Sequence, residues 1–214
     1  MDLVLQEFPL LLKGAYYTLL ITAVSMTFGL IIGLLVALAR ITGNKVLSGL
    51  ARFYVSVIRG TPLLVQIFII YYGLPDVGIT FEPLTAAFIS LSINIGAYLS
   101  ETFRGAIISI PKGQMEAALS IGMSYSQAMR RIILPQAARV AIPPMGNTFI
   151  GILKETSLVS VITVTELLRA SQLLISKHLV VMPFYIAIAI MYWVMSTGFS
   201  ILLGKAEVKL SKAY

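Results

Sequence analysis

The chain contains no cysteine. Disulfides, thiolate metal centres and cysteine nucleophiles are therefore excluded. Charge is scarce as well: 12% of the 214 residues are Asp, Glu, Lys or Arg, against roughly 25% in soluble domains. With 58% apolar residues, too little polar surface remains to cover a water-soluble globule. His178 is the only histidine; no second ligand candidate accompanies it, so no metal site is expected and its ring is read as solvated. A GxxxxGKS/T phosphate loop is missing, so the chain is not expected to hydrolyse ATP alone. Acids number 9 against 16 bases, a net charge of +7. The bases flank long apolar runs instead of forming a stripe with aromatics, which favours a membrane over nucleic acid.

What is present is a set of uncharged runs. Residues 14–39, 60–75 and 83–100 carry no charge; 140–153 form a fourth run that continues past Lys154 and Glu155 to about 165, and 179–204 a fifth. A helix needs about 20 apolar residues to cross the hydrocarbon core. The first and last runs are long enough alone, whereas the middle three need their flanks. The expected fold is an all-α membrane protein with about five transmembrane helices, one domain over 1–214. The first run is not read as a signal peptide, despite Ala37-Leu38-Ala39, because it is too long and follows Asp2 and Glu7. Orientation follows from Lys and Arg. With the N-terminus outside, the inner segments hold Arg40, Lys45, Arg52, Arg59, Arg104, Lys112, Arg130, Arg131, Arg139, Lys205, Lys209 and Lys212, twelve of the sixteen. The positive-inside rule therefore favours N-out and C-in, which makes the insert from about 105 to 139 cytoplasmic. No internal repeat divides the chain, and five helices are few to enclose a path, so pairing with a second copy or a related chain is expected.

The insert is polar and basic, EAALSIGMSYSQAMRRIILP over 116–135. Pro111 can open a first short helix, small Ala117 and Ala118 would let a partner approach, and Gly122 is a natural left-handed stop. Ser124 followed by Gln127 fits a capping box for a second short helix, which Pro135 is expected to end. Mechanics alone leaves two readings: a docking element, or an amphipathic loop on the membrane surface anchored by Arg130 and Arg131.

Glu116-Ala117-Ala118, Gly122, then Ile132, Leu134 and Pro135 resemble the EAA loop of permease subunits in bacterial ATP-binding-cassette importers, with Met129 where a larger aromatic is common. Gly14 to Leu19, Arg59-Gly60-Thr61-Pro62 to Gln66, Ala97 to Gly105 and Lys154 to Leu158 are similar to the polar amino-acid permease group, across almost the whole chain. The resemblance implies a type I importer permease fold in a bacterial inner membrane. It implies two ATPase subunits, which bind ATP and Mg, and coupling helices carrying Glu116, Ala117, Ala118, Gly122 and Pro135 that sit in a cleft of the ATPase. It also implies a second permease copy or homologue, an extracytoplasmic substrate-binding protein and an amino-acid substrate.

Polar residues inside the spans are the candidate site, because ionisable groups in hydrocarbon are costly. Asn94 lies midway in the third run, and Lys154 and Glu155 interrupt the fourth, followed by Thr156 and Ser157, whose hydroxyls can bond a freed backbone. Thr18, Thr22 and Ser25 share a face of the first helix, as part of a polar site or as packing glue. Asn94, Glu155, Thr22, Ser25, Lys154, Thr156 and Ser157 are the substrate-binding candidates; a structural role in packing is the alternative for each. Glu101 and Arg104, spaced i and i+3, read as a structural ion pair. Gly60-Thr61-Pro62 reads as a hinge or helix start, and Pro143-Pro144 should kink or delay the fourth helix. The chain itself is expected to be neither an enzyme nor a cofactor carrier. It is read as the permease of an ATP-driven importer of a polar amino acid, basic ones included, against a passive channel, a secondary carrier or a scaffold subunit.

Overall fold

The structure is a computed structural model describing residues 2–41 and 44–211, with the side chains of residue 2 and residues 209–211 excepted. Of the inner cations counted above, Lys212 and the side chain of Lys209 lie outside the described residues. Ten α-helices follow one another, and no strand occurs among the described residues. They are α1 (Asp2–Gln6), α2 (Phe8–Ile41), α3 (Lys45–Gly60), α4 (Leu63–Phe68), α5 (Pro83–Ser109), α6 (Lys112–Ser120), α7 (Tyr125–Ala128), α8 (Leu134–Glu155), α9 (Leu167–His178) and α10 (Met182–Ser211).

Helices α2, α5 and α10 are each long and apolar enough to cross a membrane. Two further spans arise only if bent pairs count as one. The first pair, α3 with Leu63–Val77, is bent by 105°; the second, Tyr125–Ile162 with α9, by 49°. The five uncharged runs thus become three continuous helices and two broken ones. The second run proves too short for a straight span, and it is completed by amphipathic α3 across the Gly60–Pro62 break.

Helix α5 is the centre of the bundle. Its most apolar window is 61% buried, against 6% for α10. It packs along α2 through glycines: a Cβ on Gly33 would lie 2.7 Å from the Leu99 Cβ, and one on Gly96 would lie 2.8 Å from the Ile32 Cβ and 3.1 Å from the Tyr54 hydroxyl. Small residues let two helices close where lipid supplies no hydrophobic drive. The matched order of these contacts (Gly29 on Ile95, Gly33 on Leu99) makes α2 and α5 parallel. Ile21, Ile67, Leu91, Ile95, Leu99, Ile152 and Ile162 fill the core between α2, α4, α5 and α8.

Two expectations about prolines change. Pro135 does not end the second short helix. A π-turn over Met129–Ile133 carries α7 directly into α8, with Pro135 in the first turn of α8. The wider turn has room for the ring, and Gln136 Nε2 donates to the Ile132 carbonyl at 2.9 Å. Likewise Pro143 and Pro144 do not delay α8, which starts before them and runs on to Glu155. The Gly122 stop and the capping box are as expected: Gly122 has φ +83°, and Ser124 and Gln127 bond reciprocally.

His178 is paired, not simply solvated. Its Nε2 lies 2.8 Å from Glu7 Oε1, its ring stacks on Phe184, and Lys177 donates to the same carboxylate. Hydrogen bonds from Lys177 and His178 hold the Glu7 carboxyl below the usual carboxylate range. A depressed folded pKa contributes stability above the unfolded pKa and loses it as pH falls through the folded one. The tie between the α1–α2 turn and the end of α9 should therefore open below the ordinary carboxylate range. Spin labels at Leu5 and Val181 should show a broadened distance distribution under acid conditions, and Glu7→Gln should show the same broadening at neutral pH. For the bundle centre, Gly33→Val should lower stability by about 1–3 kcal/mol through overpacking, read as a lower melting temperature in detergent.

Candidate functional site

The break between α3 and α4 makes the site. Thr61 and Pro62 are both extended, so the carbonyls at the end of α3 lose their helical partners. In hydrocarbon such groups must be satisfied by the protein. Gln66 does this. Its Nε2 lies 2.8 Å from the Ile58 carbonyl, 3.0 Å from the Thr61 carbonyl and 2.9 Å from Thr61 Oγ1. Its Oε1 accepts from Asn94 Nδ2 at 3.1 Å, which locks the break to the middle of α5. Both amides are buried.

Beside this bridge lies a cavity of about 500 Å³, walled by the Arg59–Leu63 break, by Asn94 and Tyr98 of α5, and by Thr148, Gly151 and Glu155 of α8. The Arg59 guanidinium stands 5.1 Å from the Tyr98 ring centroid, a cation–π distance. It also lies 3.7 Å from Glu101 Oε1. Glu101 gathers Arg40 and Arg104 as well, Arg104 at 3.0 Å. The expected Glu101–Arg104 pair is thus part of a cluster of one carboxylate and three guanidiniums. The excess positive charge leaves Arg59 able to serve the cavity. Glu155 is exposed on the α8 wall. The lining offers a cation, an anion, an amide and hydroxyls, which can hold a small zwitterion.

Of the sequence candidates, Asn94 and Glu155 line this cavity together. The others lie outside its wall. Thr22 donates to the Thr18 carbonyl at 2.8 Å, and Ser25 is buried with no hydrogen-bond partner among the described residues. Lys154 is exposed on α8, and Thr156 and Ser157 donate to the Leu153 and Lys154 carbonyls, each at 2.8 Å, where the helix tightens into the 3-10 turn Thr156–Ile162. Gln66 and Arg59 were not singled out as site residues. A lone amide four residues beyond Pro62, in an apolar run, was the available signal for Gln66. Glu166 was also passed over. It is fully buried, caps α9 through Leu168 N (2.9 Å) and Arg169 N (2.8 Å), and accepts from the Tyr192 hydroxyl at 2.8 Å. In the 112–133 segment Glu116 and Ala117 are exposed, Ala118 is buried, and Ile121 (79% exposed) and Tyr125 flank Gly122 at the tip.

The model for inner membrane components of binding-protein-dependent transport systems matches residues 29–211. The chain belongs to that family. The L-cystine transport system permease protein TcyB of Bacillus subtilis is 46% identical to this permease over 213 residues, 99% of this chain and 91% of TcyB. The glutamine transport system permease protein GlnP of Escherichia coli is 40% identical over 204 residues, 94% of this chain and 93% of GlnP. Among solved structures, the crystal structure of an amino acid ABC transporter with histidines matches with a TM-score of 0.93 and 40% identity over 96% of both chains. The permease is a multi-pass inner membrane protein with the all-α architecture of these importers.

Replacing Gln66 by Leu should leave the Ile58 and Thr61 carbonyls unsatisfied and cost about 1–3 kcal/mol. The check is thermal unfolding of the purified protein in detergent.

Proposed function

We propose that this permease moves a polar amino acid and that the cavity at the α3–α4 break is where the cargo pauses. The observation that carries the reading is the placement of Arg59 and Glu155 around Asn94. A free α-amino acid bears the complementary charges. Its carboxylate suits the planar, multidentate guanidinium of Arg59. Its ammonium suits Glu155, with the Asn94 carbonyl oxygen as a further acceptor. Relatives named for L-cystine and glutamine, and a close structural neighbour that is an amino acid transporter with histidines, support an amino-acid cargo.

The N-terminus is taken as outside, in keeping with twelve of sixteen Lys and Arg on the inner side. The 112–133 segment is then cytoplasmic and meets ATP-binding-cassette subunits. Ile121 and Tyr125 are the apolar contacts, Glu116 and Ala117 the exposed face beside them, and Ala118 the residue that seats the segment on the bundle. Gly122 sets the turn, and Pro135 opens the helix that transmits motion to Glu155. ATP and Mg are handled by those partner subunits, a second permease copy or homologue completes the path, and an extracytoplasmic binding protein delivers the cargo.

Uptake of labelled glutamine, cystine and histidine into cells producing the permease with its ATPase and binding protein tests this. Glu155→Gln should lower uptake at least about tenfold, the effect of losing one charged ligand contact. Glu116→Lys should abolish uptake while the chain remains inserted at normal levels. Uptake that continues with a catalytically dead ATPase would establish a passive carrier instead.

A further inference from the structure

A second polar cleft lies at the other end of the bundle, where α2 and α5 begin. It has a volume of about 400 Å³ and is lined by Lys13 and Tyr17 of α2, Glu82 and Leu84 at the start of α5, and Thr163 and Thr165 of the turn before α9. From Pro83 to Asn94 is about 16 Å along α5 at the helical rise. The cleft is therefore separate from the Arg59–Glu155 cavity, and the 3-10 turn Thr156–Ile162 leads from one to the other.

Its charges are unusual. Lys13 and Glu82 both face the cleft, yet neither has an ion-pair partner among the described residues, not even the other. Glu82 precedes α5 without capping it, so its carboxylate is not committed to the helix. Thr163, on the same wall, holds φ +66°, a conformation that β-branched residues avoid and that tends to persist where a site requires it. A concave space of this size suits a small molecule.

We propose that this cleft is a second binding site for a free amino acid, with Glu82 receiving the α-ammonium and Lys13 the α-carboxylate. Tyr17, Thr163 and Thr165 add hydroxyl hydrogen bonds, and Leu84 packs against the side-chain stem. The site rests on the amino-acid reading above and makes the cleft a waiting position ahead of the central cavity.

The test is equilibrium binding of labelled L-glutamine, L-histidine and L-cystine to the purified permease–ATPase complex without the binding protein. A Glu155→Gln background weakens the central cavity. Saturable binding of at least one probe should remain there, and Lys13→Met or Glu82→Gln should each weaken it at least about tenfold. Lys13→Arg should retain it, and the reciprocal swap Lys13→Glu with Glu82→Lys should restore part of it. Both positions are exposed, so unchanged melting temperatures verify that the variants fold. Binding indifferent to Lys13 and Glu82 would overturn the proposal. So would a loss confined to ATPase stimulation by the binding protein, which would make the cleft a protein contact. Failure of the wild-type complex to bind any probe would overturn it too. Cellular uptake then separates the two readings: if uptake persists, both resting sites fall and the amino-acid cargo stands; if it is absent, the amino-acid reading falls with them.

Discussion

A helix broken inside hydrocarbon must have its lost hydrogen bonds replaced by the protein itself. This constraint organises the molecule. The chain turns by 105° at Gly60–Pro62, and the side chain of Gln66 takes up the carbonyls that the turn releases. The same amide reaches Asn94 on the central helix. One side chain therefore closes the backbone account of the break and fixes the polar wall of the cavity. Without the break, α3 and α4 would form one smooth helix, and Arg59 would not stand across from Glu155.

The bundle around the break is built to hold it still. Gly29, Gly33 and Gly96 bring α2 and α5 to backbone distance, and Ile67, Ile95 and Ile152 pack the space behind the cavity. Two of the acids within the bundle are held by partners. Glu101 gathers three arginines, and Glu166 is consumed by two backbone amides and the Tyr192 hydroxyl. Paired groups of this kind fasten helices together. Glu155 differs because it lines the cavity with no ion pair among the described residues, and Arg59, the most distant of Glu101's three arginines at 3.7 Å, lines it too, which is why the proposed function rests on these two.

Much of this was legible in the chain. The uncharged runs located α2, α5 and α10, because lipid forces an unmistakable composition on continuous helices. The Gly122 stop and the Ser124–Gln127 box were readable because their chemistry is local. Asn94 and Glu155 stood out as polar residues in apolar surroundings, and both line one cavity, from different helices. The prolines misled. Pro135 looks like a breaker and Pro143-Pro144 like the mark of a late start, but a π-turn absorbs the first and α8 begins before the pair. Whether a proline stops a helix depends on the neighbouring turn, which no short motif encodes. Gln66 and Arg59 escaped notice because their importance lies in contacts made across helices. The pairing of His178 with Glu7, 171 positions apart, is equally invisible to local reading.

The central claim is that a helix break held open by Gln66 creates the place where an amino acid rests in the membrane. The most direct measurement is an electron cryo-microscopy structure of the permease–ATPase complex prepared with saturating L-glutamine or L-histidine. The account predicts ligand density at the α3–α4 break, with the carboxylate on Arg59 and the ammonium within hydrogen-bond reach of Glu155 and Asn94. An empty cavity in a complex that binds the same amino acid saturably in solution would contradict it.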